Sequence, residues 1–120
     1  MLVSRPVKTA LPWEGFRAVA RMRGMTRPSK LDPSAVDAWL AAHPGWERAE
    51  ETVARRFTFG DFAAALGFVV RVGCYAEKAN HHPDIDLGWG RARVAWSTHD
   101  AGGITQLDLD AAEATGKLAG

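Results

Sequence analysis

The chain has 120 residues, enough for one domain with a proper core and too few for two. Hydrophobic residues make up 47% and charged residues 24%, a globular balance that excludes disordered and fibrous classes. One cysteine, Cys74, leaves no internal disulfide framework and no multi-cysteine zinc or iron–sulfur site, and points to a reducing, cytoplasmic setting.

The net charge of +1 is unevenly spread. Residues 1–30 carry seven basic side chains against Glu14 alone, a local balance of +6, while residues 31–120 carry −5. A mildly acidic body argues against nucleic acid as the ligand. The basic head reads as a flexible, non-globular extension. Two alternatives stay open. One is a targeting or membrane-surface helix, with Phe16, Val19 and Ala20 at helical spacing among arginines. The other is a start codon set too early, with Met25 the true initiator. No apolar stretch of secretory length follows the charges, and the apolar run 62–70 is about half of a membrane-spanning helix, so no membrane partner is expected.

Regular structure is expected from Asp32-Pro33, where Asp32 suits an N-cap and Pro33 the first helical position, which needs no N–H. Val36, Trp39 and Leu40 fall at i, i+3 and i+4 and give a short helix one apolar stripe. His43-Pro44-Gly45 ends it, with His43 placed to favour the helix dipole rather than to do chemistry. Residues 46–59 read as two short strands, the second with Val53, Arg55, Phe57 and Phe59 on one face. Thr58 to Asp61 resembles a capping box opening the longest helix, about 61–79. Its expected buried face is Phe62, Leu66, Val69, Val70 and Gly73, with Cys74 a small core residue. Pro83 closes the helical stretch, and residues 86–98 read as an antiparallel strand pair with a bend or bulge at Gly88-Trp89-Gly90. Ala92, Val94, Trp96 and Thr98 share one face of the second strand. After Ala101-Gly102-Gly103, Thr105 and Asp108 repeat the capping-box pattern before a last helix, about 106–117. The order helix-strand-strand-helix-strand-strand-helix predicts a single α+β domain over residues 31–120, a four-stranded antiparallel sheet with helices packed on one face.

Chemistry concentrates in two places, the helix end from Glu77 to Pro83 and the strand end from Trp96 to Asp100. They hold three of the four histidines, the side chain whose ordinary pKa of about 6.5 lies near working pH. Three readings of His81, His82 and His99 compete. They are structural histidines; or they hold a metal with Asp84 or Asp86, for which adjacent ligands at i and i+1 are poorly spaced; or they work as metal-free general acids and bases around a small ligand. Nucleophilic catalysis is weaker, since no glycine-rich elbow surrounds Ser97 and Cys74 sits in apolar company.

The spacing of these residues resembles the signature of the pterin-4a-carbinolamine dehydratase family. Three spacers separate Glu77 from His81-His82-Pro83, five separate Pro83 from Trp89, nine separate Trp89 from His99, and eight separate His99 from Asp108. All elements of the signature fall within 32 residues. The likeness continues upstream through Gly45-Trp46, the segment 57–62 and Gly67-Phe68, and covers about residues 31–119.

The resemblance implies a hydro-lyase that dehydrates 4a-hydroxytetrahydropterin to the quinonoid dihydropterin, recycling tetrahydropterin for aromatic amino-acid hydroxylases, with no cofactor and no metal. It implies His81 and His99 as the acid–base pair and His82 as a pterin-contacting catalytic histidine. Asn80 stands where an aspartate is common in animal members, so it brings a hydrogen bond without a charge. Asn80, His81, His82 and Pro83 form one binding segment by this resemblance, and Ser97, Thr98, His99 and Asp100 the other. Glu77 is a candidate to orient a histidine, and Trp46 and Trp89 are candidates for apolar walls, with core packing as the other reading of each tryptophan. Asp108 reads as structural, at the third position of its capping box. The family also implies a homodimer or homotetramer. Two other functions stay open beside the enzyme: a non-catalytic protein-binding or dimerisation module, as in animal members that stabilise a transcription factor, and a relative acting on another pterin, such as one linked to molybdenum-cofactor enzymes.

Overall fold

A computed structural model describes residues 28–120. The readings of residues 1–27 lie outside the described residues; at their border Lys30 pairs with Glu51 at 3.3 Å. Helix α1 (Pro33–Ala42) starts as expected with Asp32 at the N-cap and Pro33 first in the helix, although the Asp32 side chain makes no capping bond. Val36 is buried, and Trp39 and Leu40 pack against the core. His43 ends the helix, stacks on Trp39 with ring centroids 4.0 Å apart, and sets Nδ1 2.7 Å from the Trp39 carbonyl.

Strands β1 (Glu47–Ala49) and β2 (Thr52–Thr58) are slightly shorter than the sequence suggests, leaving Trp46 and Phe59 outside the ladder. Helix α2 (Phe62–Ala79) follows, then β3 (Asp84–Gly88), β4 (Arg91–Trp96) and α3 (Gln106–Ala119). The four strands form one antiparallel sheet in the order β1-β2-β4-β3. Val53, Phe57, Ala92, Val94 and Trp96 line its inner face, with α2 over β3 and β4 and α3 over β2 and β4. Gly88-Trp89-Gly90 is neither a bend nor a bulge but the end of β3 and a two-residue hairpin turn, with Gly90 at φ 68°.

Helix α2 departs most from its sequence reading. No capping box forms with Thr58; Asp61 is itself the N-cap, and its carboxylate accepts the Ala64 N–H at 2.8 Å. The face turned to the sheet is Ala65, Phe68, Val72 and Ala76, whereas Phe62, Leu66 and Val70 are 44%, 43% and 55% exposed. The reason is geometric. Apolar side chains cover more than half of this helix's circumference, so periodicity shows a stripe without showing its centre. Small alanines let the backbone approach the sheet, and the larger residues beside them are left outside. Cys74 falls on the outer side and is exposed rather than a core residue.

Candidate active site

Helix α2 ends where Asn80 takes the left-handed conformation, φ 54° and ψ 42°, which asparagine tolerates better than most residues. The Asn80 N–H donates to the carbonyls of Ala76 and Glu77, and the His81 N–H reaches back to Ala76 at 3.1 Å. This double closure turns the chain sharply and sends consecutive histidines in opposite directions. His81 turns inward with its side chain 15% exposed; His82 turns outward at 54%. The outer one pairs with Glu77 through Nε2 and a carboxylate oxygen 2.5 Å away.

The inner one meets a buried carboxylate. His81 Nε2 lies 2.6 Å from Asp108 Oδ1, and Asp108 is fully buried. The other oxygen of Asp108 accepts from the Thr98 hydroxyl at 2.7 Å and from the Thr105 N–H at 2.9 Å. The Thr98 and Thr105 hydroxyls are themselves 2.8 Å apart. A carboxylate in such a place is costly unless surrounded by donors, and here it has two besides the imidazole, together with the N-terminal end of the α3 dipole. An ionised carboxylate only accepts, so paired with one His81 donates through Nε2, and Nδ1 has no hydrogen-bond partner among the described residues. The His81 ring also stacks on Trp96, at 5.4 Å between centroids and 22° between planes. Tyr75 meets Trp96 edge-on at 6.0 Å, and its phenol is held above the ordinary value, first by burial and then by the negative charge of Asp110. Among the described residues no three His, Cys, Asp or Glu side chains converge as a metal site.

Residues 29–118 match the model of the pterin 4 alpha carbinolamine dehydratase family. The chain belongs to that family. A relative in Thermosynechococcus vestitus, provisionally named pterin-4-alpha-carbinolamine dehydratase, is 43% identical over 90 residues, covering 75% of this chain and 95% of its own length. One in Acidobacterium capsulatum with the same provisional name is 44% identical over 84 residues, 70% of this chain and 91% of the relative. The crystal structure of a transcriptional coactivator/pterin dehydratase from Brucella melitensis matches with a TM-score of 0.73 at 35% identity, over 77% of this chain and 100% of that one. A pterin dehydratase-like RuBisCO assembly factor of the alpha-carboxysome shares the fold alone, at a TM-score of 0.55 and 22% identity, over 65% of this chain and 93% of that one.

Within this pterin dehydratase fold the residues singled out from sequence fall into three groups. Asp84 faces Ala95 across the β3–β4 ladder, so the segments leaving that end, 80–83 and 97–100, run side by side. Asp108 touches both, through His81 and Thr98. His99 and Asp100 open a short 3-10 turn, His99–Ala101, and both are exposed; Ser97 and Pro83 are half-buried beside them. Thr98 differs from its neighbours. Its hydroxyl is held by Asp108 and Thr105, and its N–H and carbonyl by Gly103, so its polar groups are engaged within the protein. The two tryptophans stand apart. Trp46 is buried in the core, edge-on to Trp39 and Phe57, and Trp89 is 73% exposed at the hairpin turn, the opposite end of β4 from His99.

Asp108 is where sequence reading stops short. Its capping box is present, with both reciprocal bonds formed, but its second oxygen also orients His81. The available signal was its place as the final element of the family spacing.

Proposed function

We propose that this protein dehydrates 4a-hydroxytetrahydropterin to the quinonoid dihydropterin by histidine acid–base catalysis, with no metal or cofactor. In that reaction the C4a–O bond breaks, the oxygen leaves as water after taking a proton, and a ring N–H proton passes to a base. Nothing is oxidised or reduced. The observation that carries the reading is the pairing of His81 with buried Asp108 at 2.6 Å in a chain of the dehydratase family. Such a pair fixes the tautomer of His81 and leaves Nδ1 at the edge of the site for proton transfer. His99, exposed at the adjoining strand end, supplies the second exchanging group, and His82, held by Glu77, lies against the pterin. Asn80, Pro83, Ser97 and Asp100 border the same space, and two positioned acid–base groups can each contribute about 10²–10⁴-fold. The product is the species that reduction returns to tetrahydropterin, consistent with recycling for aromatic amino-acid hydroxylases. The test follows absorbance of freshly generated 4a-hydroxytetrahydropterin with wild type beside the His81→Ala/His99→Ala double variant. Acceleration by wild type alone is expected; folded wild type without acceleration overturns the reading.

One observation favours a second role. Phe62, Leu66 and Val70 form an exposed apolar stripe along α2, and a helix apolar nearly all round is one that buries a second face. The homo-oligomer expected for the family, a dimer or tetramer, would cover it with another copy. A non-catalytic binding module would use the same stripe for a different protein, and would retain its partner in the double variant.

A further inference from the structure

Arg55 occupies an inward-facing position of β2, between Val53 and Phe57, where the core side of a sheet ordinarily takes an apolar residue. Full burial there would demand a carboxylate partner; Arg55 is half-buried, its stem against the core and its head at the edge. Among the described residues Arg55 has no ion pair and no hydrogen-bond acceptor; its guanidinium lies 4.6 Å from the centre of the Phe57 ring. One glycine makes room for it, and a second stands at contact distance. Gly45 sits at φ 99°, and a Cβ there would come within 2.9 Å of Arg55 Nε; a Cβ on Gly116 of α3 would stand 3.9 Å from the guanidinium. The guanidinium opens into a cavity of about 390 Å³ between the end of α1 and the C-terminal half of α3, walled by Pro44, Trp46, Glu113, Gly116 and Lys117.

The charges in this cavity do not cancel. Glu113 is already engaged, accepting from Trp39 Nε1 at 3.0 Å and lying 3.5 Å from His43 Nε2. Lys117, like Arg55, has no ion pair among the described residues, so two cations face the space. A guanidinium presents a planar fork that matches a carboxylate or phosphate through two parallel bonds. Pro44 and the exposed edge of Trp46 add an apolar wall beside the fork. We propose that this cavity binds a small organic anion, its carboxylate or phosphate on Arg55 and Lys117 and its apolar body against Pro44 and the exposed edge of Trp46. The site is separate from the His81–Asp108 pair, which lies at the other end of α3, and it does not depend on the dehydratase reading.

The test is calorimetric titration of the full chain with benzoate, phenyl phosphate and inorganic phosphate. Saturable 1:1 binding of benzoate or phenyl phosphate is expected, the tighter of the two identifying the anionic group. Inorganic phosphate should bind at least about tenfold more weakly, because it leaves the apolar wall uncovered. Arg55→Gln should weaken the organic anion by at least about tenfold, and Lys117→Gln, on an exposed helix turn, by about threefold. The Lys117 variant keeps the test decisive if Arg55→Gln does not fold. No binding of either organic probe by wild type overturns the proposal, as does affinity unchanged in both variants or inorganic phosphate binding as tightly as the organic anions.

Discussion

The imidazole of His81 lies flat against the indole of Trp96, and the indole cannot turn away. Its Nε1–H donates to the Thr115 hydroxyl at 3.0 Å, and that hydroxyl is tied to the Ala111 carbonyl at 2.7 Å. His81 is thus clamped on its face by β4 and on its Nε2 edge by α3. Trp96→Phe keeps an aromatic face and loses the Thr115 bond. It should cost about 1–2 kcal/mol in urea unfolding and leave turnover within about tenfold. Trp96→Ala should cost about 3–5 kcal/mol, because the residue is fully buried.

Asp108→Asn tests the other clamp. Asparagine keeps the shape but replaces one oxygen by an NH₂ that meets another donor, either the Thr105 N–H and Thr98 hydroxyl or the His81 Nε2–H. Dehydration should fall by about 10²–10⁴-fold with a displaced pH–rate profile, and stability by about 1–3 kcal/mol. A variant with lowered stability but wild-type kcat and pH profile would confine Asp108 to its capping role.

His99→Ala should separate chemistry from folding. The side chain is exposed at the start of a short turn, so its loss should shift stability by less than about 0.5 kcal/mol. Turnover should drop by about 10²-fold or more. Unchanged turnover removes His99 from the mechanism.

The outer stripe of α2 gives a prediction about assembly. Leu66→Glu places a charge at the middle of the exposed apolar row Phe62, Leu66, Val70. In a self-associating protein it should shift the mass seen by light scattering after size-exclusion chromatography to a smaller species, with the monomer fold retained. An unchanged mass would place the self-contact elsewhere.

Alkaline pH should reveal Tyr75, the one tyrosine of the chain. Its phenol is raised above 10.0 in the fold, by burial first and Asp110 second. The folded protein therefore holds this proton more tightly than the unfolded chain does. The resulting stabilisation is complete below the unfolded pKa of about 10 and is lost as pH rises through the folded value. Urea midpoints of wild type and Tyr75→Phe, compared between pH 9 and 11, should diverge only in that range. Lysine titration is common to both proteins and cancels.

Much of this architecture is legible in the sequence because single residues mark boundaries. Pro33 opens α1 and Pro83 follows the end of α2, and the alternation of Ala92, Val94 and Trp96 marks the inner face of β4. The buried face of α2 is not legible in the same way. Its apolar arc is too wide for periodicity to find the centre, and the sheet selects small residues that hydrophobicity alone ranks below Phe62 and Leu66. The positions of Trp46 and Trp89 follow from strand register and hairpin direction, which pairing sets and composition does not. The link between His81 and Asp108 joins residues 27 apart, and no local pattern reports it.

The β3–β4 hairpin gives its turn an influence far from where it sits. His81 enters the hairpin ahead of Asp84 and His99 leaves it after Trp96, so the two histidines are aligned by how the strands are threaded through Trp89-Gly90. Each residue added to or removed from that turn would slide one strand along the other by about 3.3 Å and reverse which face its side chains take. The tip of the hairpin therefore acts as a length gauge for the site at its open end, and Gly90, at φ 68°, is the residue that keeps the gauge two residues long.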